Sequence, residues 1–341
     1  MLIIIGEYFK LKIIKVSSGS PDNRNLLLRQ TKNFSGFWGD CKFVVNENIE
    51  KCDWWFVLHG SGLLKSESCF CDPNHIVYVS MEPDEKMSKV SSKFLNQFSH
   101  LITCDRDVLH KNKIYENWLT WYIGIIVKKK NNQHIFQNKI NLDYDQLTSM
   151  EFPNKKNRIS IILSNKNFSD GHKKRIKFVE EIAKLPIAKY IDIFGHGYNE
   201  IPDKWDAIAP YKYHLVLENS IQPNYWSEKL ADAFLGFSLP IYYGCPNIYD
   251  YFSQNSLLIL DINDISASNQ LLQYLIDHDE YFEQRKQIIN ISREMILNKY
   301  NIFNLMRNMA INKASRIQNI KLNTNPYYSN SLLKKIVKLI L

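Results

Sequence analysis

Short apolar runs, separated by polar stretches with helical spacing, recur through the first 150 residues of the chain. Runs of this length that end in polar residues are typical of buried strands. Their alternation with helices predicts an open, mainly parallel sheet, whose ligands collect at the carboxyl ends of the strands. We predict these strands at residues 2–5, 54–60, 75–82 and 100–105.

A second alternating series begins at residue 158 and predicts βαβ packing in units of roughly 30 residues. After it, residues 268–317 have helical spacing throughout. Within the second series we predict two helices, at residues 173–184 and 227–237. We predict its strands at residues 158–165, 190–195, 213–220, 239–244 and 256–261.

The segment between the two series, residues 127–157, is rich in Lys, Asn, Gln and Asp and predicts an interdomain linker. The fold class predicted by the whole pattern is α/β, with two Rossmann-like domains facing a cleft. We expect the first domain at residues 1–150 and the second at residues 155–300. A C-terminal helical tail at residues 301–341 would follow.

The last stretch of the chain, residues 331–341 (SLLKKIVKLIL), places lysines beside Leu and Ile at amphipathic spacing. This pattern predicts a tail that lies on an anionic membrane surface. The alternative is a last helix that packs on the body of the protein. No segment reaches about 18 uninterrupted apolar residues, so we do not expect an integral membrane protein.

Composition adds few constraints to this picture. The 341 residues, of which 45% are hydrophobic, are enough for two cores. The net charge of +8 is spread through many lysines, so we expect no nucleic-acid partner. The six cysteines lack the paired spacing of a structural zinc site, and we expect reduced thiols and a cytoplasmic protein that contacts the inner face of the membrane peripherally.

The densest group of chemically useful residues lies between residues 213 and 244. A predicted strand ends in E-N-S at residues 218–220, and Ser227 then begins a helix whose first turn contains Glu228 and Lys229. The backbone amides of that turn and the Lys229 ammonium suit a diphosphate. Glu228 is placed to accept hydrogen bonds from ribose or sugar hydroxyls. The alternative interpretation is a capped helix with Glu228 in its N-terminal turn.

The order of these motifs resembles the bacterial α1,3/4-fucosyltransferases of glycosyltransferase family 10. That family has an apolar strand, E-N-S, a short polar loop, D-Y-[IV]-T-E-K-L and, after the helix, V-P-V-x-x-G. This chain has E-N-S at 218–220, N-Y-W-S-E-K-L at 224–230 and L-P-I-Y-Y-G at 239–244. This chain departs from the family pattern at three positions, Asn224, Trp226 and Ser227. Of these, Trp226 is expected to change the shape of the pocket most.

Residues 159–167 (ISIILSNKN) also resemble the family, where a strand ending in S-N-x-N precedes an arginine that opens a helix. In this chain Arg175 follows, with Phe178 and Leu185 on the helical face that is apolar in the family. The resemblance implies that Arg175 binds the donor phosphates, which a guanidinium fork matches in geometry and charge. The alternative is that Arg175 is one of several solvated cations.

One local match lies in the amino-terminal half, where residues 76–87 (IVYVSMEPDEKM) contain a strand that ends in Glu82. The family has its candidate general base, a glutamate, after such a strand. Inverting transfer needs a carboxylate near the acceptor hydroxyl to take its proton. The resemblance therefore implies that Glu82 is catalytic. Asp84 and Glu85 are the alternatives, together with a merely solvated acidic turn.

The resemblance implies a GT-B type fold and an inverting transferase that moves fucose from GDP-fucose to a hydroxyl of a glycan acceptor, lipopolysaccharide or another surface glycan. It implies an acceptor-binding domain at 1–150 and a donor-binding domain at 155–300. No metal or other cofactor is expected to be obligatory, because Arg175 and Lys229 would neutralise the leaving diphosphate. The implied donor-binding residues are Arg175, Asn219, Tyr225, Glu228 and Lys229.

Two alternatives to this function stay open: the same scaffold using another nucleotide sugar, and a non-catalytic glycan-binding protein of the same fold. Other chemical candidates are weaker. The D-x-D at residues 143–145 could hold a divalent cation, but a solvated turn is the preferred interpretation. His59 follows a predicted strand and either lines the cleft or is structural. Tryptophans can stack on sugar rings, but they fill cores more often. The four candidates of this kind are Trp54, Trp55, Trp118 and Trp121.

Overall fold

A computed structural model shows two compact units in the chain. The first comprises residues 1–118 and 302–341, and the second comprises residues 119–301. Within the described ranges, no helix has the length and apolar content needed to cross a bilayer. All six cysteines are buried thiols. The residues that the structure describes are 11–19, 23–59, 63, 65–83, 90–130, 133–164, 170–311 and 316–326.

The strands, numbered in chain order, fall into two parallel sheets and two antiparallel pairs. They are β1 (Lys12–Ser17), β2 (Phe37–Trp38), β3 (Cys41–Val45), β4 (Trp54–Leu58), β5 (Glu67–Cys71), β6 (Ile76–Val79), β7 (His100–Thr103), β8 (Lys113–Tyr115), β9 (Ile125–Lys130), β10 (Gln133–Ile140), β11 (Lys156–Ile162), β12 (Ile191–Phe194), β13 (Tyr211–Leu217), β14 (Leu239–Tyr243), β15 (Leu258–Ile259) and β16 (Gln318–Leu322).

The helices lie mainly in the second unit, and a π-helical turn at Met295–Lys299 follows one of them directly. They are α1 (Asn23–Leu28), α2 (Ser92–Leu95), α3 (Tyr144–Ser149), α4 (Asp170–Ile182), α5 (Trp205–Ile208), α6 (Glu228–Leu235), α7 (Ile265–Asp277), α8 (Glu280–Glu283), α9 (Lys286–Glu294) and α10 (Ile302–Met309). Short 3-10 turns occur at Lys32–Phe34, Pro73–His75, Pro186–Tyr190 and Ile248–Asp250.

The first unit is built on a seven-stranded sheet in the order β2-β3-β1-β4-β6-β7-β8. All neighbouring strands are parallel except β2 and β3. Successive side chains of a strand point to opposite faces, so Trp54 and Phe56 join one apolar cluster while Trp55 and Val57 join another. Both faces are therefore covered, which explains the uninterrupted apolar runs of the central strands.

The second unit has a five-stranded parallel sheet in the order β12-β11-β13-β14-β15. Every residue of its central strand, β13, is buried. Leu215 and Leu217 pack on the face covered by α4 and α7, whereas Val216 packs on the face covered by α6. Two mainly parallel sheets with helices on both faces confirm the predicted α/β class with two Rossmann-like units.

The predicted linker at residues 127–157 is wrong, because this segment carries regular structure inside the second unit. β9 and β10 form an antiparallel hairpin, and α3 follows it. A hairpin is held by backbone hydrogen bonds, which polar residues make as well as apolar ones. A composition rich in Lys and Asn therefore does not by itself indicate an unstructured connection.

The boundaries of the compact units also differ from the domains predicted at 1–150, 155–300 and 301–341. The division falls after residue 118, and the chain returns to the first unit at α10. The reason is packing: Ile302, Phe303 and Met306 of α10 are buried in an apolar cluster of the first unit. The acceptor and donor labels of the two domains remain predictions.

Other differences concern single elements. Eight of the described strands were not predicted: β1, β2, β3, β5, β8, β9, β10 and β16. Of these, β16 pairs antiparallel with β5. The predicted strand at residues 2–5 and the amphipathic segment at 331–341 lie outside the described residues. The strands predicted in the second unit are confirmed, with ends that shift by up to three residues.

Candidate active site

The carboxyl end of β13 is joined to the start of α6 through a buried carboxylate. Glu218 follows β13 directly and has 1% of its surface exposed. Its Oε1 accepts a hydrogen bond from the Ser227 amide at 2.8 Å, and its Oε2 accepts one from the Ser227 hydroxyl at 2.7 Å. Ser227 is also the N-cap of α6, since its hydroxyl accepts from the Lys229 amide. Glu218 thus fixes where the helix begins.

Lys229 lies over this cap and is paired with two carboxylates. Its Nζ is 3.3 Å from Glu218 Oε2, 3.4 Å from Glu228 Oε1 and 2.9 Å from the Ser227 hydroxyl. Burial alone would lower the pKa of Lys229, but Glu218 and Glu228 raise it well above its usual value. The ammonium is therefore charged throughout the physiological range. It keeps 24% of its side chain exposed, so a ligand can reach it.

Glu228 is also charged, because the effect of neighbouring cations on its pKa outweighs the effect of burial. Burial would raise the pKa of Glu228, but Lys229 and Lys204 lower it to about 2. The Lys204 Nζ lies 3.8 Å from Glu228 Oε1 and 2.6 Å from Asp232 Oδ2. Glu228 can consequently accept hydrogen bonds from ligand hydroxyls but has no proton to donate at neutral pH.

Sequence analysis missed Lys204 and Asp232. Asp232 is one helical turn after Glu228 on α6, and its Oδ1 accepts hydrogen bonds from the backbone amides of Tyr122 and Ile123 at 2.9 and 3.0 Å. The spacing of two acids four residues apart on one helix face was the available signal. No comparable signal in the sequence indicated Lys204, which lies in the loop before α5.

Arg175 reaches the same edge of the sheet from α4. It is 5% exposed, and its Nη1 donates to the Leu217 carbonyl at 3.0 Å. Its Nε has no hydrogen-bond partner among the described residues. Burial lowers the pKa of Arg175, an effect opposed by Glu218 and Glu228. The solvated-cation alternative is wrong for Arg175, whereas it does describe Lys173, whose side chain is 65% exposed.

The loop between β13 and α6 carries Asn219 and Tyr225. The first turn of α4 runs so close to this loop that a Cβ at Gly171 would overlap the Asn219 carbonyl oxygen, so glycine is required there. The Asn219 Oδ1 is buried and has no hydrogen-bond partner within the described ranges. Tyr225 is buried at the end of the loop. Asn224 adopts a left-handed φ of 67°, a conformation that asparagine tolerates better than most residues.

Trp226 does not shape the surface of the site, contrary to expectation. Its ring is 1% exposed and meets Tyr251, Phe252 and Tyr300 edge to face, at centroid distances of 5.8, 5.2 and 5.4 Å. The aromatic cluster below the loop therefore accommodates this departure from the family pattern.

The predicted general base lies in the first unit. Glu82 comes three residues after β6, and its Oε1 is 2.7 Å from Nε2 of His59, the residue that follows β4. The Glu82 side chain is 19% exposed. The alternative bases, Asp84 and Glu85, lie outside the described residues.

The remaining candidates have structural roles. Asp143 of the D-x-D is the N-cap of α3 in a reciprocal capping box with Gln146. The part of the chain that the structure describes contains no group of three or more His, Cys, Asp or Glu placed to hold a metal ion. The four tryptophans are core residues, as expected: Trp54, Trp55, Trp118 and Trp121.

Comparison with known proteins assigns a family to one domain of this chain. Residues 152–312 match the family model described as "Glycosyltransferase family 10 (fucosyltransferase) C-term". The chain therefore carries a family 10 glycosyltransferase domain, and the resemblance inferred from its motifs is confirmed. The matched residues include every donor-site residue proposed from the sequence.

Individual relatives agree with this family. The 4-galactosyl-N-acetylglucosaminide 3-alpha-L-fucosyltransferase 9 of Homo sapiens is 31% identical over 157 residues, which are 42% of this chain and 41% of that protein. The Alpha-(1,3)-fucosyltransferase FucT of Helicobacter pylori is 30% identical over 83 residues, or 24% of this chain and 17% of that protein. The chain thus aligns with less than half the length of these relatives.

A crystal structure of an alpha1,3-fucosyltransferase resembles the chain with a TM-score of 0.51 and 16% identity, covering 96% of this chain and 95% of the other. At this identity the likeness concerns the fold, which is the predicted GT-B type.

Glu218→Gln should destabilise the chain more than the loss of an exposed carboxylate does. The amide cannot balance the Lys229 charge, and it offers one acceptor oxygen where two are used. Removing one partner of a buried ion pair typically costs about 3–5 kcal/mol. Urea unfolding measures this loss. Glu181→Gln, which breaks an exposed pair with Lys184, is the control and should hardly change the midpoint. Equal midpoints for the two variants would contradict the prediction.

Proposed function

We propose that this chain is an inverting glycosyltransferase that moves fucose from GDP-fucose to a hydroxyl of a glycan acceptor. The observation that carries the proposal is the cation cluster at the carboxyl end of β13, inside a family 10 domain. Arg175 and Lys229 both lie there, beside the first turn of α6. The fucosyltransferase names of the family and of the relatives support fucose as the donor sugar.

The cluster suits a leaving diphosphate. When the bond between the sugar C1 and the phosphate oxygen breaks, negative charge develops on the diphosphate. Donors fixed in advance around that charge stabilise the transition state without further reorganisation. The Lys229 ammonium and the Arg175 guanidinium are such donors. We propose that no metal is obligatory, because these groups supply the charge that a bound divalent cation would supply.

Sugar and ribose hydroxyls would be recognised by the acceptors at the same edge. Glu228 is ionised and keeps 27% of its side chain exposed. The buried Asn219 Oδ1 needs a donor partner, which a ligand hydroxyl could provide. Tyr225, buried at the end of the same loop, would pack against the donor.

Glu82 would act as the general base. Its carboxylate takes the proton of the acceptor hydroxyl while that oxygen bonds to C1 of the donor sugar, and GDP leaves with the electrons of the broken C1–O bond. Attack from the face opposite GDP inverts the configuration at C1. The proposed acceptor is lipopolysaccharide or another surface glycan, met at the cytoplasmic side of the membrane.

Two alternatives remain to be tested against this function: the same scaffold using another nucleotide sugar, and a non-catalytic glycan-binding protein. Thermal shift with a panel of nucleotide sugars distinguishes the donors, because a ligand that binds only the folded state raises the melting temperature. GDP-fucose should give the largest shift. Slow hydrolysis of GDP-fucose without acceptor would exclude a purely glycan-binding protein. A larger shift with another nucleotide sugar would overturn fucose as the donor.

Lys229→Ala and Arg175→Ala should each lower kcat/KM for the donor by a factor between ~30 and ~1000, equivalent to ~2–4 kcal/mol of transition-state stabilisation. Steady-state kinetics and calorimetric titration with GDP measure the effect. Lys173→Ala, which removes an exposed lysine from the same helix as Arg175, is the control and should keep wild-type kinetics. Wild-type kinetics in the two site variants would refute the phosphate role.

Glu82→Gln should lower kcat for transfer by about 100-fold or more while leaving GDP-fucose affinity nearly unchanged. Glutamine preserves the size of the side chain but cannot take up a proton. Glu50→Gln, an exposed site in the same unit, should transfer normally. Loss of donor affinity in Glu82→Gln would show that Glu82 belongs to donor binding instead.

We further propose that residues 331–341 hold the protein on an anionic membrane, where a lipid-linked acceptor would be found. The full chain should float with vesicles that contain anionic lipid, and a chain ending at residue 330 should not. Equal recovery of the two proteins would refute the membrane role, and vesicles of neutral lipid are the control.

A further inference from the structure

A histidine and a glutamate meet where two neighbouring strands of the first sheet end. β4 and β6 are parallel and paired from Trp55↔Ile76 to Leu58↔Val79, so their carboxyl ends lie side by side. The His59 amide donates to the Val79 carbonyl at 2.7 Å, which fixes the start of its loop on β6. The side chains then meet at 2.7 Å, from His59 Nε2 to Glu82 Oε1.

The backbone on both sides of this contact is held in an unfavourable conformation. His59 has a φ of 68°, and Met81, next to Glu82, has a φ of 55°. Left-handed φ values are uncommon for residues with a side chain, and glycine would adopt them more easily. Strain of this kind persists only where the surrounding structure imposes it, and it is concentrated at functional sites.

The chemistry of the two groups determines which one donates the hydrogen bond. An ionised carboxylate only accepts hydrogen bonds. A neutral His59 therefore carries its proton on Nε2 and donates a hydrogen bond to Glu82. A hydrogen bond to the charged form of a carboxyl group keeps that form favoured. It also restricts the carboxylate to one orientation, which a general base requires within a few tenths of an ångström.

We propose that His59 is a positioning residue for Glu82: its Nε2–H holds the Glu82 carboxylate in one orientation, aimed at the acceptor hydroxyl. This inference rests on the proposed function, because it takes Glu82 as the base. His59 acts through Glu82 and touches neither the donor nor the transferred sugar.

The test compares two amides at position 59. His59→Asn removes the contact, since its side chain is too short to place a nitrogen where Nε2 lies, yet asparagine tolerates the left-handed backbone and should fold. His59→Gln can place its amide nitrogen near that point. We expect His59→Asn to lower kcat about 10-fold or more with unchanged KM for GDP-fucose, and His59→Gln to restore most of the loss. Equal losses in both, or no loss in either, would overturn the proposal.

A second measurement separates positioning from general damage. In a Glu82→Gln background, His59→Asn should lower transfer no further, because the group through which it acts is already gone. A structural role would lower transfer by the same factor in both backgrounds, and that result would overturn the proposal. The urea midpoint of each variant checks that the fold is kept.

The matched control is His110→Asn in the same unit. His110 bonds to the Phe98 carbonyl, which precedes β7, and to the Asn112 carbonyl, so it lies at the amino end of the strands. Its replacement should leave kcat unchanged. If Glu82→Gln itself transfers normally, the assignment of the base is wrong. If Glu82→Gln is impaired but His59→Asn is not, the base assignment stands and only the positioning role fails.

Discussion

The second unit of this protein depends on one buried carboxylate. Glu218 ends the central strand of the second sheet and binds both the amide and the hydroxyl of Ser227, which begins the helix that faces the ligand edge. Those two hydrogen bonds tie the end of β13 to the first turn of α6, across the loop that carries Asn219 and Tyr225. The cost of burying the Glu218 charge is offset by Lys229, the same lysine that we propose as a ligand of the donor phosphates.

Charge balance follows from this arrangement. Three cations and three carboxylates lie close together: Glu218 and Glu228 raise the pKa of Lys229, and Lys229 and Lys204 lower that of Glu228. Such a cluster is preorganised, because its members are already oriented by one another before a ligand arrives. A diphosphate would enter a site whose cations are charged and immobile. The set consists of Arg175, Lys204, Lys229, Glu218, Glu228 and Asp232.

Much of this could be predicted from the sequence, and the failures have physical reasons. The strands of the second unit are apolar runs, and the E-N-S and S-E-K-L motifs are contiguous, so both were found. Lys204 lies 28 residues from Asp232, and His59 lies 23 from Glu82, so their contacts exist only once strand order is known. β5, which lies between β4 and β6 along the chain, is not part of their sheet and pairs with β16 instead. No local sequence pattern indicates this pairing.

The pairing of β5 with β16 means that the first unit is made from two separated pieces of chain. A ribosome delivers the second unit as one continuous segment, which can close its own core as soon as it has emerged. The first unit, although begun earlier, must wait for α10 to cover one face of its sheet and for residues 318–322 to pair with the edge of β5. Until then an apolar face and an unpaired strand edge stay exposed, and both favour aggregation. We therefore expect the unit begun first to finish folding after the second, which leaves the nascent chain vulnerable until residues 318–322 have emerged.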